Sequence, residues 1–458
     1  MHINRFRTYS DRKGMITGWI ENKNLYYFRL HKMNALLIKG GYVVDPASDF
    51  EGYADVLVKN GKIEAVSPNI TTNPSVRIID ATNKHVIPGL IECHVHFREP
   101  GLEYKEDIRT GSRAAAKGGY TTVICEPNTN PPIDSPAIVD LLTERILEKS
   151  IIKVFAKACI TKGSLSEELT DIAALAKNTR IKALSDDGNP VFNDALMCKA
   201  CELSVQHAII ISPHCEDSPF YLNKIKDIPG ATRFPGEPYS HETDFARRDI
   251  RFTEQAKGRL HISHISLKDT LAAIQQAKER GIGKFTCEVT PHHLLLDNSF
   301  RDKDGNMPRT NPPLRSRMDV EAMQNGLASG IIDVIATDHA PHTDDDLKKG
   351  ATGFVGLETA LGVLLTKLVH TGIITFKELI IKMSVNPARI FQINGGSLAA
   401  GMPADITIID KNKEWTVDVN VFESKGRNCP FHGWKLKGQV LTTIVNGKVV
   451  VDNYKIEC

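Results

Sequence analysis

Apolar and polar positions along the chain fall into two regimes. ALLIKGGYVVD (35–45), ADVLVKNGKIEAVSP (54–68) and SVRIIDATNKHVIPG (75–89) are short β-branched runs punctuated by Gly-Gly and Asn-Gly pairs. They predict a hairpin-rich β segment. The same character returns near the end in ADITIIDKNKEWTVD (404–418) and WKLKGQVLTTIVNGKVVVD (434–452). Between about residues 88 and 395 the pattern changes. Strand-like runs (TTVICEP, IKVFAKAC, RIKALSDDG, AIIISPHC, LHISHIS, FTCEVTPHH, DVIATDHAPH) alternate with helical stretches such as PAIVDLLTERILEKS, LKDTLAAIQQAKERG and MDVEAMQNGLASG. That alternation predicts a parallel sheet with crossover helices.

An open doubly wound sheet and a closed eight-fold barrel both satisfy the alternation. Polar residues decide between them. His, Asp, Asn or Arg ends most of these strands, spread over the whole region, as expected where all strand ends converge on one mouth. An open sheet would concentrate them at one switch point, and its usual Gly-rich nucleotide signals are absent. The expected fold is therefore α/β: a TIM-type (β/α)8 barrel at 88–395, with a small β-sandwich domain formed by both chain ends, 33–87 and 396–458.

Composition narrows the function classes. Lys+Arg total 57 against Asp+Glu 55, which removes the basic excess of a nucleic-acid binder. No run of about 18 apolar residues occurs, so no membrane span is expected. Nine cysteines without framework spacing favour a reducing cytoplasm. The C-x-x-C of Cys198 and Cys201 lies in a helical pattern and reads as packing. Residues 1–32 carry seven Lys/Arg and two acidic residues without a period. They read as an extension, with Met33 as the natural start.

The chemistry lies in the histidines. His94 and His96 follow an apolar strand, and alternate strand residues face one side, so both imidazoles can share a metal. An isolated H-x-H is weak. Here His214, His264 and Asp338 close other strands, giving a nitrogen/oxygen set suited to zinc and related metals.

Several long motifs, in order over residues 33–452, carry a resemblance: HVHFREPG, KEDIRTGSRAAAKGGYTTV, EPNTNPP, SDDGNPV, PHCED, HISHIS, TPHH, NPPLR, ATDHAPH, GFVGLETAL, MSVNPARIF and NCPFHGWKLKGQV. The chain resembles the bacterial-type dihydroorotases of the amidohydrolase superfamily. The resemblance implies two Zn2+ per subunit, one held by His94, His96 and Asp338 and its neighbour by His214 and His264. The bridge between them would be Asp187 in the D-D-G pattern, with a carbamylated Lys182 as the rival. It implies Asp338 as catalytic acid and base. Arg98, Asn128, Asn311, His342, Gly353 and Phe354 would contact substrate, Arg98 capturing a carboxylate from the same strand face as His96. Asn311 also reads as a turn residue, and Arg315 as either a salt bridge or a substrate contact. His261, His292 and His293 are not expected to be ligands. The motif usually has Asp where this chain has Glu92, a position that supports a metal ligand.

The reaction implied is the reversible, metal-dependent cyclisation of N-carbamoyl-L-aspartate to dihydroorotate in pyrimidine biosynthesis. Two alternatives stand beside it: an allantoinase- or hydantoinase-type cyclic amidohydrolase, and a non-catalytic barrel partner of aspartate carbamoyltransferase. Partners in view are the small-molecule substrate, a second subunit and that carbamoyltransferase. TDDDLKKGAT at 343–352 has the composition of a mobile segment over the mouth.

Overall fold

The computed structural model describes residues 35–216 and 242–457. The expected extension at 1–32 lies outside the described residues.

Five strands come first: β1 (Leu36–Asp45), β2 (Phe50–Lys59), β3 (Lys62–Ser67), β4 (Arg77–Asp80) and β5 (His85–Pro88). The barrel strands follow: β6 (Leu90–Val95), β7 (Tyr120–Cys125), β8 (Lys153–Ala158), β9 (Ile181–Leu184), β10 (Ile210–Ile211), β11 (Arg259–Ile262), β12 (Lys284–Val289) and β13 (Val334–Ile335). Four more end the chain: β14 (Ile406–Thr416), β15 (Lys435–Val445), β16 (Lys448–Asp452) and β17 (Lys455–Ile456).

β6 to β13 pair in sequence order, each parallel to the next. The ring closes where the two ends meet. Val95 bridges His339 in parallel, and the His96 N–H donates to the His339 carbonyl at 2.9 Å. The apolar run VIPGLIEC spans two sheets: β5 ends at Pro88, and β6 begins after Gly89. A Cβ at Gly89 would come within 2.2 Å of the Thr121 side chain, so only glycine fits the crossing.

Both chain ends form one continuous nine-stranded sheet, β17-β16-β15-β14-β5-β1-β2-β3, with β4 pairing β1. Its first and last portions share a core that includes Leu36, Ile38, Val56 and Ile63 with Ile406, Ile408, Ile444 and Val449. Register shifts in β1 and β14 give the sheet its bends. The C-terminal part is not all sheet. Val417, Val419, Phe422 and Phe431 join Leu296, Leu314 and Val355 of the barrel in a separate cluster, so the chain returns to the barrel mouth before β15.

One local expectation changes. TPHH does not extend a strand: Thr290 caps a helix at Pro291–Leu295, its hydroxyl accepting from the His293 N–H. The segment at 343–352 contains the helix Asp344–Lys348, closed by a capping box between Thr343 and Asp346. Ser/Thr N-caps with an acidic third residue satisfy two otherwise orphaned donors, which composition alone does not reveal.

Candidate metal centre

Six residues meet at the mouth, each at or just past the end of a barrel strand. His94 and His96 come from β6, and their rings lie 5.5 Å apart. Asp187, His214, His264 and Asp338 follow β9, β10, β11 and β13 on the short segments beyond them. All six are under 10 % exposed. Two overlapping groups have ligand atoms within 4.8 Å of one another: His94, Asp187 and His264, and His94, His96 and Asp338.

Asp187 is the hub. Its Oδ1 lies 3.2 Å from His94 Nε2, 3.3 Å from His214 Nδ1 and 3.4 Å from His264 Nε2, and its Oδ2 lies 3.6 Å from His96 Nε2. Asp338 Oδ1 lies 3.0 Å from His96 Nε2 and 3.7 Å from His94 Nε2. Burial pushes both carboxyls up, but the surrounding imidazoles outweigh it, and both are held below the ordinary carboxylate range. Both are therefore ionised at neutral pH. Lys182 goes elsewhere, its Nζ 4.5 Å from the Phe155 ring centroid.

The donor set fits a divalent cation. Four imidazoles and two carboxylates line one buried site, and among the described residues His94 Nε2 has no hydrogen-bond partner although it faces two carboxylates. A buried nitrogen in that state is suited to take an ion.

On three of the four histidines the nitrogen turned away from this cluster is engaged too. His94 Nδ1–H donates to Glu288 Oε1 at 2.7 Å. His96 Nδ1–H donates to Asn128 Oδ1 at 2.9 Å, and Asn128 Nδ2 donates to Asp187 Oδ2 at 3.3 Å. His214 Nε2 lies 3.1 Å from the Asn311 amide. The two asparagines expected at the substrate thus also brace His96 and His214.

Glu92 does something other than support an imidazole. Its carboxylate accepts the His94 N–H at 2.9 Å and the Thr337 N–H at 3.0 Å, stitching β6 to the segment after β13 at the barrel seam. Burial pushes its carboxyl up to about 8. With Glu126 Oε1 3.5 Å from His94 Nδ1, the hydrogen-bond partner of that nitrogen is Glu288, which the sequence reading missed. Its only signal was one acidic residue inside the apolar run FTCEVTPHH. Lys157 and Glu126 were missed likewise. Both are fully buried, with Lys157 Nζ 2.5 Å from Glu126 Oε1 and 3.0 Å from Ser212 Oγ.

Arg98 reaches the mouth by an unexpected route. β6 ends at Val95, and Arg98 has φ of 62°, so a left-handed turn aims it rather than strand alternation. Its Nε–H donates to the Pro341 carbonyl at 3.3 Å, and burial lowers its pKa only to about 10, so it stays charged. His342 Nε2 lies 3.0 Å from the Thr352 carbonyl and 3.2 Å from Arg98 Nη2. The shorter contact takes the Nε2 proton, and Arg98 Nη2 retains donors for an anion. Burial holds His342 down at about 3, so it is neutral.

Gly353 and Phe354 pack closely on Ala340. A Cβ on Gly353, at φ of 122°, would lie 2.6 Å from that of Ala340. Their backbone is already committed: Gly353 N–H donates to Arg309 O, the Gly353 carbonyl accepts from Asn428 Nδ2, and the Phe354 carbonyl accepts from Ala340 N–H. Arg315 pairs with Glu216 at 2.5 Å and Glu242 at 3.4 Å, a salt bridge. His293 bonds Thr290 and the Pro312 carbonyl, His292 stacks edge-on against Phe354, and His261 bonds Thr286 and Glu288.

Residues 85–450 match the amidohydrolase family profile. The chain is 44 % identical over 422 residues to a dihydroorotase of Thermoanaerobacter, covering 90 % of this chain and 96 % of that one. It is 42 % identical over 429 residues to a dihydroorotase of Acetivibrio thermocellus, covering 91 % and 99 %. Among solved structures it is similar to the L-hydantoinase of Arthrobacter aurescens, with a TM-score of 0.81, 25 % identity, and 92 % and 97 % of the two chains covered. The barrel with its terminal sheet is thus shared with hydantoinases, while sequence identity lies with dihydroorotases. The chain belongs to the amidohydrolase family and, within it, to the dihydroorotases.

Proposed function

We propose that this chain is a dihydroorotase, closing N-carbamoyl-L-aspartate to dihydroorotate and reopening it, with two Zn2+ per subunit. The observation that carries the substrate assignment is Arg98, a buried, charged guanidinium beside Asp338 and Asp187. A neutral hydantoin gives such a group nothing to pair with, whereas dihydroorotate brings a carboxylate suited to bidentate capture.

His94, His96 and Asp338 would hold one ion, His214 and His264 the other, with Asp187 between them. Bound there, the ions would lower the pKa of a water and polarise the amide carbonyl. Asp338 does the proton work. Ionised at neutral pH, it takes the proton of the attacking water and delivers it to the ring nitrogen as the amide C–N bond breaks. In the closing direction it takes a proton from the ureido nitrogen as that nitrogen attacks the carbon of the protonated side-chain carboxyl, and passes it to the departing hydroxyl, which leaves as water as the C–O bond breaks. One carboxylate serves both directions, as microscopic reversibility requires. Arg98 binds the α-carboxylate, His342 and Asn311 border the ring, and Gly353 and Phe354 form its wall. Asn128 spans His96 and Asp187 with amide donors toward the mouth.

The test is turnover of dihydroorotate, allantoin and hydantoin by one purified preparation, with metal analysis. Exclusive or strongly preferred turnover of dihydroorotate, with about two zinc ions per chain, is expected. Preference for allantoin or hydantoin would move the chain to the neutral-ring enzymes. Absence of all turnover in metal-replete protein would leave the non-catalytic partner of aspartate carbamoyltransferase.

A further inference from the structure

Beneath the histidines, the barrel interior holds a carboxylate that the mechanism above does not use. Glu288 on β12 is 0 % exposed, with no lysine or arginine ion pair among the described residues. An ionised carboxylate in that position must be met by hydrogen-bond donors. It meets three. Oε1 accepts from His94 Nδ1–H at 2.7 Å and, at 3.4 Å, from the backbone N–H of His264. Oε2 accepts from His261 Nε2–H at 3.1 Å, and His261 Nδ1 is 2.9 Å from the Thr286 hydroxyl.

Each contact has a geometric consequence. Committing the His94 Nδ1 proton leaves the Nε2 lone pair facing Asp187 and Asp338, the only tautomer in which this ring can bind an ion there. The His264 contact acts on the backbone: that residue has φ of 31°, a conformation non-glycine residues rarely adopt unless the surroundings hold it. His261 and Thr286, on neighbouring strands, fix the carboxylate itself.

We propose that Glu288 is a positioning residue for both halves of the metal centre, setting the His94 tautomer through the His94 Nδ1 contact and the His264 backbone through the His264 N–H. The proposal rests on His94 being a metal ligand, and the test separates the two. Chelator-stripped protein is titrated with Zn2+ in competition with a chromophoric chelator, and the melting temperature of the metal-free protein is recorded alongside. Glu288→Ala should weaken zinc binding about 10–100-fold. Glu288→Gln should weaken it less, because its amide oxygen still accepts from His94 while His261 takes the other tautomer. Zinc affinity within twofold of the parent in both variants would overturn the proposal, whatever happens to the melting temperature. His94→Asn is the control. Undiminished zinc binding there removes the metal assignment and the proposal with it, while loss there and none in the Glu288 variants removes the proposal alone.

Discussion

The two histidine pairs share one carboxylate but are not built alike. His94 and His96 sit on and just past a six-residue strand buried along its length, and both outward nitrogens are held, by Glu288 and Asn128. His214 and His264 follow strands of two and four residues. His214 leans on Asn311, and His264 Nδ1 has no hydrogen-bond partner among the described residues. A ligand ring braced at its far nitrogen arrives at the ion already oriented, whereas an unbraced ring must be ordered by it. Similar donor atoms at one mouth therefore need not bind equally.

The largest expected effect comes from the half proposed to carry the proton. Asp338→Asn should lower kcat for dihydroorotate by about 10²–10⁴-fold, with circular dichroism unchanged; a loss under tenfold would remove Asp338 as acid and base. Next, Arg98→Ala should raise KM for dihydroorotate about 10–100-fold, the scale of a lost hydrogen bond to a charged group. Zinc content should stay at the parental level, and a fall in it would mean Arg98 supports the metal rather than the substrate. Third, zinc removal by a chelator should proceed in two phases, and His264→Asn should abolish the faster one; a single phase in the parent protein would erase the distinction between the pairs. Fourth, Asn128→Ala should weaken zinc binding about tenfold without any substrate present. A pure substrate contact would leave that affinity untouched.

The smallest effect lies outside the mouth and serves as its control. His85 on β5 is lowered to about 4 by burial and by Lys411. Its folded pKa is below the unfolded value of about 6.5, so the unfolded chain binds more protons between those values. The stability from neutral His85 is present above pH 6.5 and is lost as pH falls toward 4. The ring is partly exposed and screened, so the slope is small. His85→Phe should flatten the Tm-against-pH curve in that window while dihydroorotate turnover at pH 7.5 stays unchanged.

Much of the centre was legible because it depends on local rules. Two histidines at alternate strand positions face one way whatever the rest of the chain does, and His214, His264 and Asp338 were visible as polar ends to apolar runs. Strand alternation does not orient Arg98, since a left-handed turn past the end of β6 delivers it. Glu288 and Lys157 were not legible: a single charged residue in an apolar run does not announce its partner. The helix at 291–295 was hidden because TPHH continues an apolar run, and the return of residues 417–434 to the barrel leaves no periodic trace.

By itself, the sequence determined the parallel barrel, the β character of both ends, and the kinds of ligand atom at the strand ends, because strand and helix periods are properties of neighbouring residues. Only the tertiary structure decided which carboxylate meets which histidine. His94 and Glu288 are 194 positions apart. Asp187 touches four rings that three separate barrel strands deliver. Those meetings depend on the register of eight strands and on the seam where β6 closes against β13, and barrel closure is long-range geometry that no local pattern encodes.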